Sequence, residues 1–154
     1  MVLKIGKDLK GEDLTDEVLI NAIEYVSQGI EIHNFKFWYT LPTLQELICS
    51  NGIHAGLVVG GTRISPNELS FESEWFKVYK NDKIITKAKA SEIMGGPLHS
   101  LRWLTGKLTK RNEILGAGSL VIPGSPVELI NIREDTKLMI LIEKVGKAVT
   151  YFKS

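Results

Sequence analysis

Few residues in this sequence could do chemistry, and they lie far apart. GIEIHNF, residues 29 to 35, reads as a short strand that delivers one polar side chain, Asn34, out of an apolar run. Its carbonyl could give a hard cation one oxygen, without bringing any charge. Glu72 and Glu74, in SFESEWF, form a Glu-x-Glu pair. Alternation along a strand would set both carboxylates on one face, which suits a hard cation; entry to a hairpin is also where exposed acids are common. His33, His54 and His99 have no metal-site spacing and read as satisfied or surface histidines. GLVVGG lacks the spacing and the Lys-Ser/Thr ending of a phosphate loop. Cys49 is the one cysteine, so it makes no internal disulfide; its apolar neighbours predict a buried thiol, which fits a reducing cytosol.

Composition narrows the function classes. With 154 residues, 44% hydrophobic and 24% charged, the chain is expected to form one domain over 1–154. Nineteen basic against eighteen acidic residues give a net charge of +1, so no overall field favours nucleic acid or an anionic membrane. Lys107, Lys110 and Arg111 lack interleaved aromatics and read as a solvated helix end. No apolar window reaches spanning length and the start MVLKIGKDLKGED has no signal-peptide core, so the expectation is a cytoplasmic protein without membrane or nucleic-acid partners.

The elements that must position these residues follow from periodicity. LKIGKDL reads as a strand. A helix is predicted from about Asp16 to Ser27, with Thr15 as N-cap, Leu14 and Leu19 as a hydrophobic staple, Val18, Leu19, Ala22, Ile23 and Val26 buried, and Gly29 ending it. Thr43 and Glu46 have capping-box spacing for a short helix with Leu44, Leu47 and Ile48 on one side. AGLVV is a strand. WFKVYKNDKIITKAKA is a hairpin turning on Asn81 and Asp82. Gly95, Gly96 and Pro97 introduce a helix with Leu98, Leu101, Leu104 and Leu108 inward. SLVIP, VELINI, LMILIEKV and AVTYF complete the strands. AGLVV and LMILIEKV are apolar enough that at least one should be covered on both faces, by another layer or by an oligomer interface. The class is α+β with mixed sheets.

Four segments in order carry a resemblance: IGKDLKGEDLTDEVLINAIEYVSQGIEIHNFK, ICSNGIHAGLVVGG, VYKNDKIITKAKASEIMGGPLHSLRWLTGKL and GAGSLVIPGSPVELINIREDT. Together they resemble the later portion of the 2-hydroxypenta-2,4-dienoate (2-keto-4-pentenoate) hydratases and 4-oxalocrotonate decarboxylases, of the fumarylacetoacetate hydrolase superfamily. The resemblance runs from Ile5 to Phe152 and covers only the C-terminal larger part of a typical member. It implies rolled mixed β-sheets with three outer helices, oligomeric assembly, and lyase chemistry on 2-oxo or 2-hydroxydienoic acids of aromatic catabolism. In that chemistry a Mg²⁺ or Mn²⁺ ion stabilises a developing enolate.

The family's metal ligands, a Glu-x-Glu pair and a later aspartate, do not carry over. The pair would fall at or before residues 1 to 4, where Met1, Val2, Leu3 and Lys4 stand, and Asn34 takes the aspartate's place. Strand alternation aims Glu31 away from that place, so only a bulge would bring it back. The family's pocket lysine belongs to a still earlier region. Gly124 and Ser125, in GSP, resemble the loop near the substrate carboxylate, with Pro123 replacing the usual hydroxyl residue; Asn51 matches an asparagine beside Ser50, which replaces an aspartate. For Ser125 and Asn51 the alternative is turn capping. Two readings follow. One is a metal-site-defective binding or subunit-type protein that needs no cofactor and works beside a full-length homologous subunit. The other is an active hydratase or decarboxylase using Mg²⁺ or Mn²⁺, completed by a partner chain or an upstream segment.

Overall fold

The computed structural model describes residues 1–34, 42–132 and 134–153; Phe35, the last residue of the expected GIEIHNF strand, lies outside them. In chain order the elements are β1 (Val2–Ile5), α1 (Asp16–Ala22), β2 (Ile23–Ser27), β3 (Gly29–His33), α2 (Leu44–Cys49), β4 (His54–Val59), β5 (Trp75–Lys80), β6 (Lys83–Lys89), α3 (Pro97–Lys110), β7 (Leu120–Val121), β8 (Thr136–Ile142) and β9 (Gly146–Phe152). The strands form three sheets, ordered β2-β1-β7, β3-β4 and β6-β5-β8-β9. The α+β class is as expected, and every pairing among the described strands is antiparallel rather than mixed.

The first sheet and the helices α1 and α3 enclose the larger core, in which Leu3, Ile5, Leu19, Val26 and Leu101 are fully buried. Here the expected helix to Ser27 is corrected. Thr15 caps α1 by accepting from the Val18 amide, but the helix stops at Ala22 and the chain passes directly into β2. The stripe Ala22, Ile23, Val26 serves either structure. Pairing with β1, Val2 opposite Ser27 and Leu3 opposite Val26, satisfies the backbone and buries the β-branched residues where they fit a pleated surface. Val18, expected inside, is 45% exposed.

The four-stranded sheet is built around the hairpin that the sequence announces. Asn81 and Asp82 take positive φ (48° and 64°), the left-handed pair a tight two-residue turn requires. Its inner face, with Val78, Leu138 and Ala148, meets Ile30 of β3 in a second, smaller core. Within the chain β4 has no buried residue and β8 buries Thr136, Leu138 and Ile142; an antiparallel sheet needs cover on one face only.

α2 has the predicted capping box, yet none of its residues is buried, Leu44 and Ile48 are about 70% exposed, and Cys49 is exposed rather than buried. α3 follows the predicted pattern, with Pro97 in its first turn and Leu98 and Leu101 buried. VELINI forms no strand. Glu72 and Glu74 sit in a turn before β5, with opposite fates: Glu72 is exposed, while Glu74 is buried, accepts from the Ser70 amide (3.2 Å) and lies 3.7 Å from Lys144 Nζ. A turn has no strand alternation, so the pair shares no face.

Buried Gln28 ties the layers together. Its Nε2 donates to the Val145 carbonyl (2.6 Å), its own carbonyl accepts from the Gly60 amide (2.9 Å), and the neighbouring Ser27 hydroxyl donates to the Gly60 carbonyl (2.9 Å). A Cβ on Gly60 would stand 1.9 Å from Gln28 Oε1, so only glycine allows this approach.

Candidate functional site

A cleft of about 880 Å³ opens between β3 and the segment after β7. One wall is the run Gly29 to Asn34, the other the run Gly124 to Ile132; Val78, Leu138, Ile140 and Phe152 lie between them. Three of the four site residues expected from sequence, Asn34, Gly124 and Ser125, therefore come together. Asn51 does not line the cleft.

Asn34 stands just past the end of β3 and is exposed; its amide donates to the Ile53 carbonyl (2.8 Å). That carbonyl is placed by an unusual turn: Asn51, Gly52 and Ile53 all take left-handed φ, +52°, +67° and +56°. A β-branched residue is strained there. Burial of the Ile53 side chain helps to hold it. Sequence reasoning missed Ile53, since nothing in its type marks a left-handed residue.

Gly124 has φ +133°, and a Cβ there would come 2.9 Å from Ile93 Cγ2, so glycine is required by both conformation and space. Ser125 donates from its hydroxyl to the Val127 carbonyl (2.8 Å) and accepts from the Val127 amide (3.3 Å), the turn-capping arrangement. The loop is held from behind by the Ser100 hydroxyl of α3, which donates to the Pro123 carbonyl (2.6 Å). Met1 also lines the cleft, and burial pushes its amino group down to about 5, leaving it neutral at pH 7.

The β3–β4 register does shift between Ile32 and His33, but the extra residue, Ala55, lies in β4, so β3 keeps its alternation. Glu31 is engaged by histidines: its Oε1 lies 2.8 Å from His54 Nδ1 and 3.4 Å from His33 Nε2. Among the described residues, no three His, Cys, Asp or Glu side chains form a group that could hold a metal ion. Asparagine at 34 offers one neutral oxygen. This donor set does not fit Mg²⁺ or Mn²⁺, which want several charged oxygens at one point.

No family model matches the chain. It is 22% identical over 152 residues to 2-keto-4-pentenoate hydratase 1 of Dechloromonas aromatica, covering 99% of this chain and 58% of that protein. It is 28% identical over 127 residues to 2-oxo-hept-4-ene-1,7-dioate hydratase of Escherichia coli, covering 79% of this chain and 48% of that one. The chain is homologous to these hydratases. Its fold is that of the fumarylacetoacetate hydrolase superfamily. 4-Oxalocrotonate decarboxylase from Pseudomonas putida G7, solved with magnesium and adipate, superposes with a TM-score of 0.88 at 18% identity, over 96% of this chain and 56% of its own. The chain thus spans about half the length of the relatives it matches, consistent with their C-terminal part. Among the described residues no helix is long and apolar enough to cross a membrane.

Proposed function

We propose that this homologue of the 2-keto-4-pentenoate hydratases works as a binding or subunit-type protein whose own cleft is defective in metal binding. The observation that carries the reading is the cleft wall at Asn34. Where the resemblance calls for an aspartate the side chain is neutral, and the only carboxylate of β3, on Glu31, is engaged by His54 and His33. Enolate chemistry on a 2-oxo acid needs a held positive charge opposite the developing oxyanion, and a single amide oxygen cannot anchor the dication that would supply it. What survives is the loop Gly124–Ser125 and an apolar cleft, which are suited to binding. A longer homologous chain is the partner this reading assigns, within a cytoplasmic oligomer.

The test is turnover of 2-keto-4-pentenoate by the full chain with Mg²⁺ or Mn²⁺, alone and mixed with the longer Dechloromonas aromatica hydratase. The reading expects no hydration above background from the chain alone. Metal-dependent turnover by the chain alone would sink it. Turnover that appears only on mixing with an inactivated longer chain would favour the second reading, a lyase completed in trans.

A further inference from the structure

We infer that Asn51-Gly52 is a modification site, at which the Gly52 nitrogen attacks the Asn51 side-chain amide and the isoaspartate that results releases the cleft wall at Asn34. The chemistry lies within this chain and stands whether or not the subunit reading does. Asn51 and Gly52 are both exposed. The Asn51 side chain makes no hydrogen bond among the described residues, caps no turn and lines no cleft, so its carboxamide is free to rotate. The Gly52 amide is equally unheld: the turn is closed by Ile53 donating to the Ser50 carbonyl (3.0 Å) and His54 donating to the Asn51 carbonyl, and neither bond uses it.

The step needs only water. The Gly52 nitrogen gives its proton to a buffer base and bonds to Asn51 Cγ; the bond from Cγ to the side-chain nitrogen breaks, and ammonia leaves with a proton taken from water. Water then opens the cyclic imide at either carbonyl. Opening at Cγ leaves aspartate in an unchanged main chain, whereas opening at the main-chain carbonyl leaves isoaspartate, whose chain runs through Cβ and Cγ. Crowding at the attacking nitrogen decides which asparagine reacts. Every other asparagine is followed by a residue with a side chain, and Asn51 alone is followed by glycine. A Cβ at Gly52 would meet nothing within 4 Å, so the closing ring has open space around it.

The local fold allows the reaction and transmits it. Ring closure requires the Asn51-Gly52 peptide to turn out of its left-handed conformation; α2, just ahead of it, buries none of its residues, so the segment opens at little cost. Opening also relieves the left-handed, β-branched Ile53. In isoaspartate the Asn51 carbonyl that accepted from His54 becomes a free carboxylate and the main chain is longer by one atom. The Ile53 carbonyl then leaves its place, and the Asn34 amide loses its acceptor at 2.8 Å.

The experiment ages the folded full chain in mildly alkaline buffer at physiological temperature, beside a free peptide of residues 50–54. Peptide mass mapping should find the mass gain of amide to acid at Asn51 before any other asparagine, with isoaspartate as one product. After return to neutral buffer, the Asn34 amide of the isoaspartate form should exchange about 10-fold faster by NMR, the effect of one lost hydrogen bond. Asn51→Gly, which suits the positive φ and has no carboxamide, should keep its Asn34 exchange rate through the same incubation. Asn51→Asp, which has the charge without the longer chain, should match the fresh protein. An Asn51 that stays intact in the folded chain while the free peptide converts would overturn the inference, as would earlier conversion of another asparagine or an Asn34 amide indifferent to isoaspartate.

Discussion

Replacing Gln28 with leucine should loosen the joint that aims β3 into the cleft. The side chain is fully buried, and its Nε2 is the donor to the Val145 carbonyl at the β8–β9 turn. Leucine nearly keeps the volume, so the cavity contribution is small. What is lost is a buried hydrogen bond, and the Val145 carbonyl is left without that donor away from water. An orphaned buried acceptor costs about 1–3 kcal/mol, offset in part by burying more apolar surface, for a net loss of about 2 kcal/mol. For a chain of this size that lowers Tm by roughly 4–8 °C. The assay is urea unfolding followed by far-UV circular dichroism, with coincidence of a fluorescence probe as the two-state check. The geometry also predicts coupling. Gly60→Ala alone drives a methyl into Gln28 Oε1 at 1.9 Å, whereas in a Gln28→Ala background that clash is gone and the Lys147 carbonyl oxygen, 3.3 Å away, is the near neighbour that stays, so the two changes should depart from additivity by about 1 kcal/mol. A Gln28→Leu loss under about 0.5 kcal/mol, or strict additivity of the Gly60 and Gln28 pair, would refute the reasoning.

The Met1 amino group gives a pH dependence. Its folded pKa is about 5 against an ordinary 8.0, so the unfolded chain binds the proton more readily in that window. Stability should be highest above pH 8 and fall toward pH 5, by up to about 1.4 kcal/mol per pH unit. Urea midpoints between pH 5.5 and 8.5 check this, and midpoints that do not move with pH would contradict it. Ser100→Ala removes the donor that holds the Pro123 carbonyl behind Gly124 and Ser125. It should cost about 1–2 kcal/mol in the same assay and speed amide exchange in the Gly124–Val127 loop; an unchanged loop would show that α3 does not hold it.

The parts of the fold legible in the sequence are those fixed by local chemistry. Asn81-Asp82 can only be a tight turn between two alternating runs, Thr43 and Glu46 satisfy each other's backbone, and Gly96-Pro97 starts α3. The misreadings came where a local pattern is compatible with two structures and a distant strand decides. Ile23 to Ser27 continued a helical stripe, but β1, 18 to 25 residues earlier in the paired register, takes the segment as its antiparallel partner. VELINI has strand alternation and no partner among the described residues. Cys49 has apolar neighbours in sequence, yet α2 packs none of its residues inside. At the site, the resemblance singled out Asn34, Gly124, Ser125 and Asn51; the structure sets the first three along two walls of one cleft and leaves Asn51 outside it. The left-handed Ile53 that fixes Asn34, and the histidines that hold Glu31, appear only when the strands are paired.

The most direct test is a Mn²⁺ titration of the purified full chain followed by electron paramagnetic resonance of the free ion. A defective cleft predicts less than about 0.1 Mn²⁺ bound per chain at roughly 100 μM free metal, for the wild-type chain and for Asn34→Ala alike. One Mn²⁺ bound per wild-type chain and lost in Asn34→Ala would contradict the account.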